Sequence, residues 1–211
     1  MNRIQKEDEI MESKDGSSPP KSDTRDLILA IISARGNEIR GRTVLQKLCY
    51  FVDELLALKI DYEPYFYGPY SEDIAVSMDS LVALDFVDEE SEALPSTSSD
   101  EPLFDRKVYT YKLSKSGKTL VEGRKAKLQI YSRTKEMINR LETSGLNLQD
   151  ANMLSVAAKT YLILKEKRKP LSNHEISEIA RTLGWRISEE LIERVSQSLL
   201  KLGLIRIGTS Q

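Results

Sequence analysis

Two residues alone, Cys49 and His174, supply the thiol and imidazole chemistry available to this 211-residue chain. A Ser-His-Asp or Cys-His arrangement would have to use one or both of them. Cys49 falls in the apolar run Leu48-Cys-Tyr-Phe-Val52. There a free cysteine reads as a small buried hydrophobe rather than a nucleophile. His174 falls in the first turn of an expected helix, where exposure is the ordinary outcome. Zinc would need His and Cys clustered at defined spacing, and the sequence holds no such cluster. Gly41-Arg-Thr43 opens a helix and does not extend to the GxxxxGK[ST] phosphate loop. Carboxylates crowd residues 85–105, in an expected loop rather than a pocket. The expectation is a non-enzymatic protein, with no cofactor and no metal.

Binding chemistry is better represented. Residues 51–105 carry fifteen Asp or Glu against one Lys, a net of −14, and residues 106–170 carry sixteen Lys or Arg against five acids, a net of +11. Such asymmetry suggests a polyanion partner for the basic part, a pairing of the two blocks, or simply solvated helix faces. The basic candidates for nucleic-acid contact are Lys115, Lys118, Arg124, Lys125, Lys127, Arg133, Lys135 and Arg140, extended by Lys165, Lys167, Arg168 and Lys169. They suit phosphate contact better than base readout.

Seven of the thirteen Phe and Tyr residues lie between Tyr50 and Tyr70. Tyr62, Tyr65, Phe66, Tyr67 and Tyr70 have Asp61, Glu63, Glu72 and Asp73 for neighbours, which disfavours a stacking platform for bases. Core packing with hydroxyls at the rim is one reading. A protein-binding surface formed by Tyr65, Tyr67, Tyr70, Glu72 and Asp73 is the other.

The elements that must position these groups are legible from periodicity and punctuation. Asp23 to Ala34 carries Leu27, Ile28, Ile31 and Ile32 at helical spacing, closed by Gly36-Asn37. Thr43 is placed to cap a helix striped by Leu45, Leu48, Val52 and Leu55. Tyr62 to Tyr67 reads as an edge strand, Gly68-Pro69 as a turn, and Ser71 as the cap of a third helix bearing Ile74, Met78, Leu81 and Val82. That helix, Ser71 to Leu84, carries Glu72, Asp73 and Asp79 with no Lys or Arg. Phe86-Val87 and Val108 to Leu113 are strand candidates about an acidic, Ser-rich loop, 91–105. One long basic helix is expected from Ser114 or Ser116 to about Leu141, striped by Leu120, Leu128, Tyr131, Ile138 and Leu141, and another from about Leu148 to Lys167. Ser172 and Glu175 form a capping box, Ser188 opens a further helix, and Leu204 to Ile207 reads as a last strand.

The predicted fold class is mostly α. It comprises a disordered tail at 1–22, a winged helix-turn-helix module at 23–114, a long connecting helix at 115–145, and a helix-turn-helix-like module at 146–211. No apolar run approaches the roughly 18 residues that span a bilayer, and the N-terminus lacks a secretory h-region. A cytoplasmic protein is expected, with no membrane partner.

Leu45-Gln-Lys-Leu-Cys-Tyr-Phe-Val52 followed by Tyr65-Phe-Tyr-Gly-Pro-Tyr-Ser71 resembles the YwgA-like proteins of bacteria and archaea, which pair an LQKLLYL-type helix with a YGPYS turn. The resemblance extends to Leu183-Gly-Trp185 and covers most of residues 24 to 205. It implies the winged-helix fold and little about function. More distantly the pattern is similar to the Panacea (SocA-like) antitoxin domain, with Tyr67 where that domain has tryptophan before its Gly-Pro. That similarity implies protein–protein recognition. The leading expectation is a DNA-binding or transcription-regulatory homodimer gripping phosphates through the basic helix. The alternative is an adaptor or antitoxin type of interaction module.

Overall fold

The computed structural model describes residues 24–93 and 107–206. The tail expected at 1–22, residues 94–105 of the expected loop and Ile207 of the expected last strand lie outside them. The described chain is mostly helical, with eight helices and 61% helix, and carries a small antiparallel sheet.

Helix α1, Thr24–Ala34, is enclosed on every side, with Leu27, Ile28, Leu29, Ala30, Ile31 and Ile32 all buried. A one-faced stripe does not describe it, because six later elements pack against it. Strand β1, Glu38–Arg40, follows a tight turn and offers only Ile39 to the core. Its three residues are too short for a periodic signal. Helix α2, Arg42–Leu56, begins two residues earlier than a Thr43 cap would place it, with Gly41 in the cap position.

Strands β2, Glu63–Tyr65, and β3, Gly68–Tyr70, form a separate hairpin in which Pro64 pairs with Pro69. Gly68-Pro69 is therefore strand, and the turn is Phe66-Tyr67. Helix α3, Glu72–Ala83, follows. Strands β4, Val87–Ala93, and β5, Lys107–Leu113, pair antiparallel, and β1 joins the other edge of β5 to give the order β1-β5-β4. Residues 91–93, expected in the loop, extend β4.

The single long basic helix is two helices, α4, Lys115–Lys125, and α5, Gln129–Thr143, separated by Leu128 in extended conformation. The reason is geometric. Gly117 and Val121 face the sheet, and Gly117 sits so close to β4 that a Cβ there would lie 2.0 Å from the Phe86 carbonyl oxygen. Tyr131, Met137, Ile138 and Leu141 must instead run along α1. One straight rod cannot bury both sets. Asp26 of α1 pins the bend, since its Oδ1 accepts from Arg124 of α4 at 2.5 Å and from the Tyr131 hydroxyl of α5 at 2.9 Å.

Helix α6, Ala151–Lys167, is capped by Asp150 and packs against α2 and the hairpin. Its Tyr161 hydroxyl and Lys165 both donate to Glu54 of α2, at 3.0 and 2.5 Å. Helix α7, Asn173–Thr182, opens with the expected capping box of Ser172 and Glu175. Helix α8, Glu189–Lys201, is capped by Ser188 as expected. Residues 204–206 form no strand. One continuous apolar cluster runs from Leu27 to Leu202, so the basic segment belongs to the core's walls and is no free hinge.

Candidate interaction surface

Two polar side chains inside the apolar run of α2 explain why the hairpin stands where it does. Gln46 and Lys47 are 7% and 2% exposed. Gln46 reads both backbone groups of Ser71, accepting from its N–H at 3.1 Å and donating to its carbonyl at 3.0 Å. Lys47 Nζ donates to the Pro69 carbonyl at 2.7 Å. Burial, with Lys159 nearby, lowers the Lys47 ammonium to a pKa of about 7. An unpaired buried backbone group is costly, so these bonds fix β3 and the start of α3 together.

From the other side Trp185, 3% exposed, donates its indole N–H to the Tyr65 carbonyl at 2.8 Å, and Lys159 lies 5.2 Å above its ring. Gly68 is held at φ 94°, and a Cβ on it would come within 3.0 Å of the Lys159 side chain. The motif residues Gln46, Lys47, Gly68, Pro69, Ser71 and Trp185 are thus a backbone clamp rather than a chemical site.

The clamp presents three consecutive aromatics to solvent, Tyr65, Phe66 and Tyr67, at 55%, 76% and 65% exposure. Of the aromatic cluster, Tyr50, Phe51 and Tyr62 pack in the core, their rings in tilted and edge-on contact. Phe66, Tyr65 and Tyr70 form a connected run. Phe66 lies 5.1 Å from Tyr65, Tyr65 lies 5.4 Å from Tyr70, and the Tyr70 hydroxyl donates to Glu72 at 3.2 Å. Burial and the Glu72 carboxylate raise the Tyr70 hydroxyl above its ordinary value. Glu72, Asp73, Asp79 and the apolar Val76 continue the exposed face along α3.

The basic candidates are dispersed. Arg124 is held by Asp26, and Lys125 by Glu122. Arg140 donates to the Leu202 carbonyl at 3.0 Å, closing the end of α8. Lys115, Lys118, Lys127, Arg133 and Lys135 are exposed, and none has an ion pair among the described residues. Lys167, Arg168 and Lys169 stand at the far end of α6. There Arg168 ends the helix in a left-handed turn, and Arg168 and Lys169 line a groove between α6, α7 and α8 that none of the α4–α5 cations reaches.

Cys49 is fully buried and its thiol is pushed up by that burial, which keeps it protonated. His174 is exposed beside Glu189, at 2.9 Å. Among the described residues no group of three or more His, Cys, Asp or Glu could hold a metal ion, and no helix is long and apolar enough to cross a membrane. No family model matches the chain, and no curated protein matches it either.

Proposed function

We propose that this chain is a protein-interaction module of adaptor or antitoxin type, built on a winged helix over residues 24–113. Its partner docks on the face running from Phe66 through Tyr65 and Tyr70 to Glu72 and Val76. The observation that carries this reading is the exposed aromatic run on a hairpin whose backbone is locked from beneath. Single exposed hydrophobics are ordinary, whereas contiguous, pre-ordered aromatics bind at low entropic cost. The acidic rim of Glu63, Glu72, Asp73 and Asp79 selects a partner that carries Lys and Arg around an apolar anchor. The same acids repel phosphates, which argues against α3 as a reader of duplex DNA. A homodimer is one form of this reading, because a second copy's α4–α5 surface is basic. The second reading is phosphate contact through Lys115, Lys118, Lys127, Arg133 and Lys135, favoured by their exposure.

A photoreactive phenylalanine at position 66 tests both readings. A discrete adduct in cells that disappears in Glu72→Lys supports the partner reading, and an adduct of purified chain to itself names a second copy. Absence of any adduct, together with salt-sensitive duplex binding that Lys118, Lys127 and Arg133 changed to Glu abolish, replaces it with the DNA reading.

A further inference from the structure

Beside Tyr67 of the hairpin turn, the structure places a groove of about 750 Å³ between β1, β5, the start of α2 and the start of α6. Its volume falls in the range of small-molecule sites. Arg35, Arg40, Arg42 and Lys107 line it against a single carboxylate, Glu38, and Tyr67 and Tyr109 supply its rings.

Arg42 is held at several points. Its guanidinium carbon lies over the Tyr109 ring, 3.6 Å from the centroid. Its Nε donates to the Tyr111 hydroxyl at 2.9 Å, and Nη2 reaches Glu89 at 3.4 Å. Nη1 makes no hydrogen bond among the described residues. Arg40 meets Glu92 at 3.1 Å, and Arg35 pairs with Glu142. Glu89, Glu92 and Glu142 all lie outside the groove's lining, whereas Arg35, Arg40 and Arg42 belong to it. The Arg40 and Arg42 pairs are exposed, and such pairs hold their partners weakly. Tyr67 is 65% exposed and has no ring partner among the described residues, although an aromatic side chain at that exposure gains from a planar partner.

We propose that this groove binds a nucleotide. The phosphates lie against Arg40 and Arg42, and the base stacks on Tyr67. A planar fork fixed over a ring favours the bidentate geometry of phosphate oxygens over a point charge. Two guanidiniums at one mouth suit a di- or triphosphate, or successive phosphates of a single strand, better than one carboxylate. The inference stands apart from the partner reading, since a chain that takes no partner at Phe66 retains the groove.

Calorimetric titration of the full chain with ATP, inorganic tripolyphosphate, adenosine and a ten-residue oligothymidylate is the test. ATP or the oligonucleotide binds about tenfold more tightly than tripolyphosphate, with adenosine alone undetectable. Tyr67→Ala, at an exposed turn where folding is not at risk, weakens that binding about tenfold. Arg42→Lys, which keeps the charge and removes the fork, weakens it several-fold, with its melting curve checked alongside. ATP without the oligonucleotide identifies a free nucleotide as the ligand, and the reverse identifies a strand. Equal affinity for tripolyphosphate and ATP, unchanged affinity in Tyr67→Ala, or no binding of any probe at millimolar concentration each overturns the proposal.

Discussion

The β2–β3 hairpin and the α4–α5 segment both attract attention in the sequence, one for its rings and the other for its cations, yet the fold treats them in opposite ways. In the hairpin the backbone is held and the side chains are left outside. Gln46, Lys47 and Trp185 bond carbonyls and an N–H, while the Phe66 ring stays exposed. In α4–α5 several side chains are themselves the structural parts. Arg124 is tied to Asp26 at the bend, and Arg140 closes α8. A side chain that carries the fold is not at liberty to meet a ligand. Density of one residue type is therefore a poor guide to a site, and the way its backbone is anchored is a better one.

The contrast breaks most severely at Gln46. Gln46→Ala strands the buried N–H and carbonyl of Ser71, at a cost of about 2–4 kcal/mol. Chemical denaturation reads the loss, and the hairpin should show faster amide exchange than α1. A smaller effect comes from Lys47. Its ammonium holds its proton less firmly in the folded chain, at about 7, than at the ordinary lysine value of 10.5. Between those values the unfolded chain carries more protons, so this group's contribution to stability rises with pH across that window and is flat below it. The wild-type chain should gain about 2 kcal/mol on Lys47→Met between pH 7 and pH 9. Equal slopes in the two proteins would show that Lys47 is not desolvated. The comparison uses the variant because Cys49 and the buried Tyr50, Tyr62 and Tyr111, all pushed up by burial, lower stability in both proteins as their unfolded counterparts ionise at higher pH.

The smallest effect sharpens the other side of the comparison. Arg140→Ala should cost about 1 kcal/mol through the unpaired end of α8. Lys118→Ala, on the same basic segment, should stay within about 0.5 kcal/mol. Equal melting temperatures for the two variants would return Arg140 to the pool of free surface cations.

Helix existence was largely legible in the sequence, as were the Ser172–Glu175 capping box and the Ser188 cap, because periodicity and capping act within a few residues of chain. β1 was not, since three residues with one buried position carry no period. Phe66-Tyr67 rather than Gly68-Pro69 makes the turn, because Lys47 holds the Pro69 carbonyl of β3 and Gln46 holds Ser71 just after it, each from more than twenty residues away. Trp185 lies further still from the Tyr65 carbonyl that it caps. The two sequence motifs carry no sign that their residues clamp one another.

By itself, the sequence determined that the chain is mostly helical, that Cys49 is buried, and that acidic and basic residues lie in separate blocks. Those properties follow from local propensity, apolar content and counting. Only the tertiary structure decided that the basic segment bends at Leu128 and that Arg124 and Arg140 are consumed in packing. It alone left Phe66 outside while Tyr50 went in. The physical reason is that each outcome depends on which distant backbone group or apolar face a side chain meets, and no local pattern encodes that meeting.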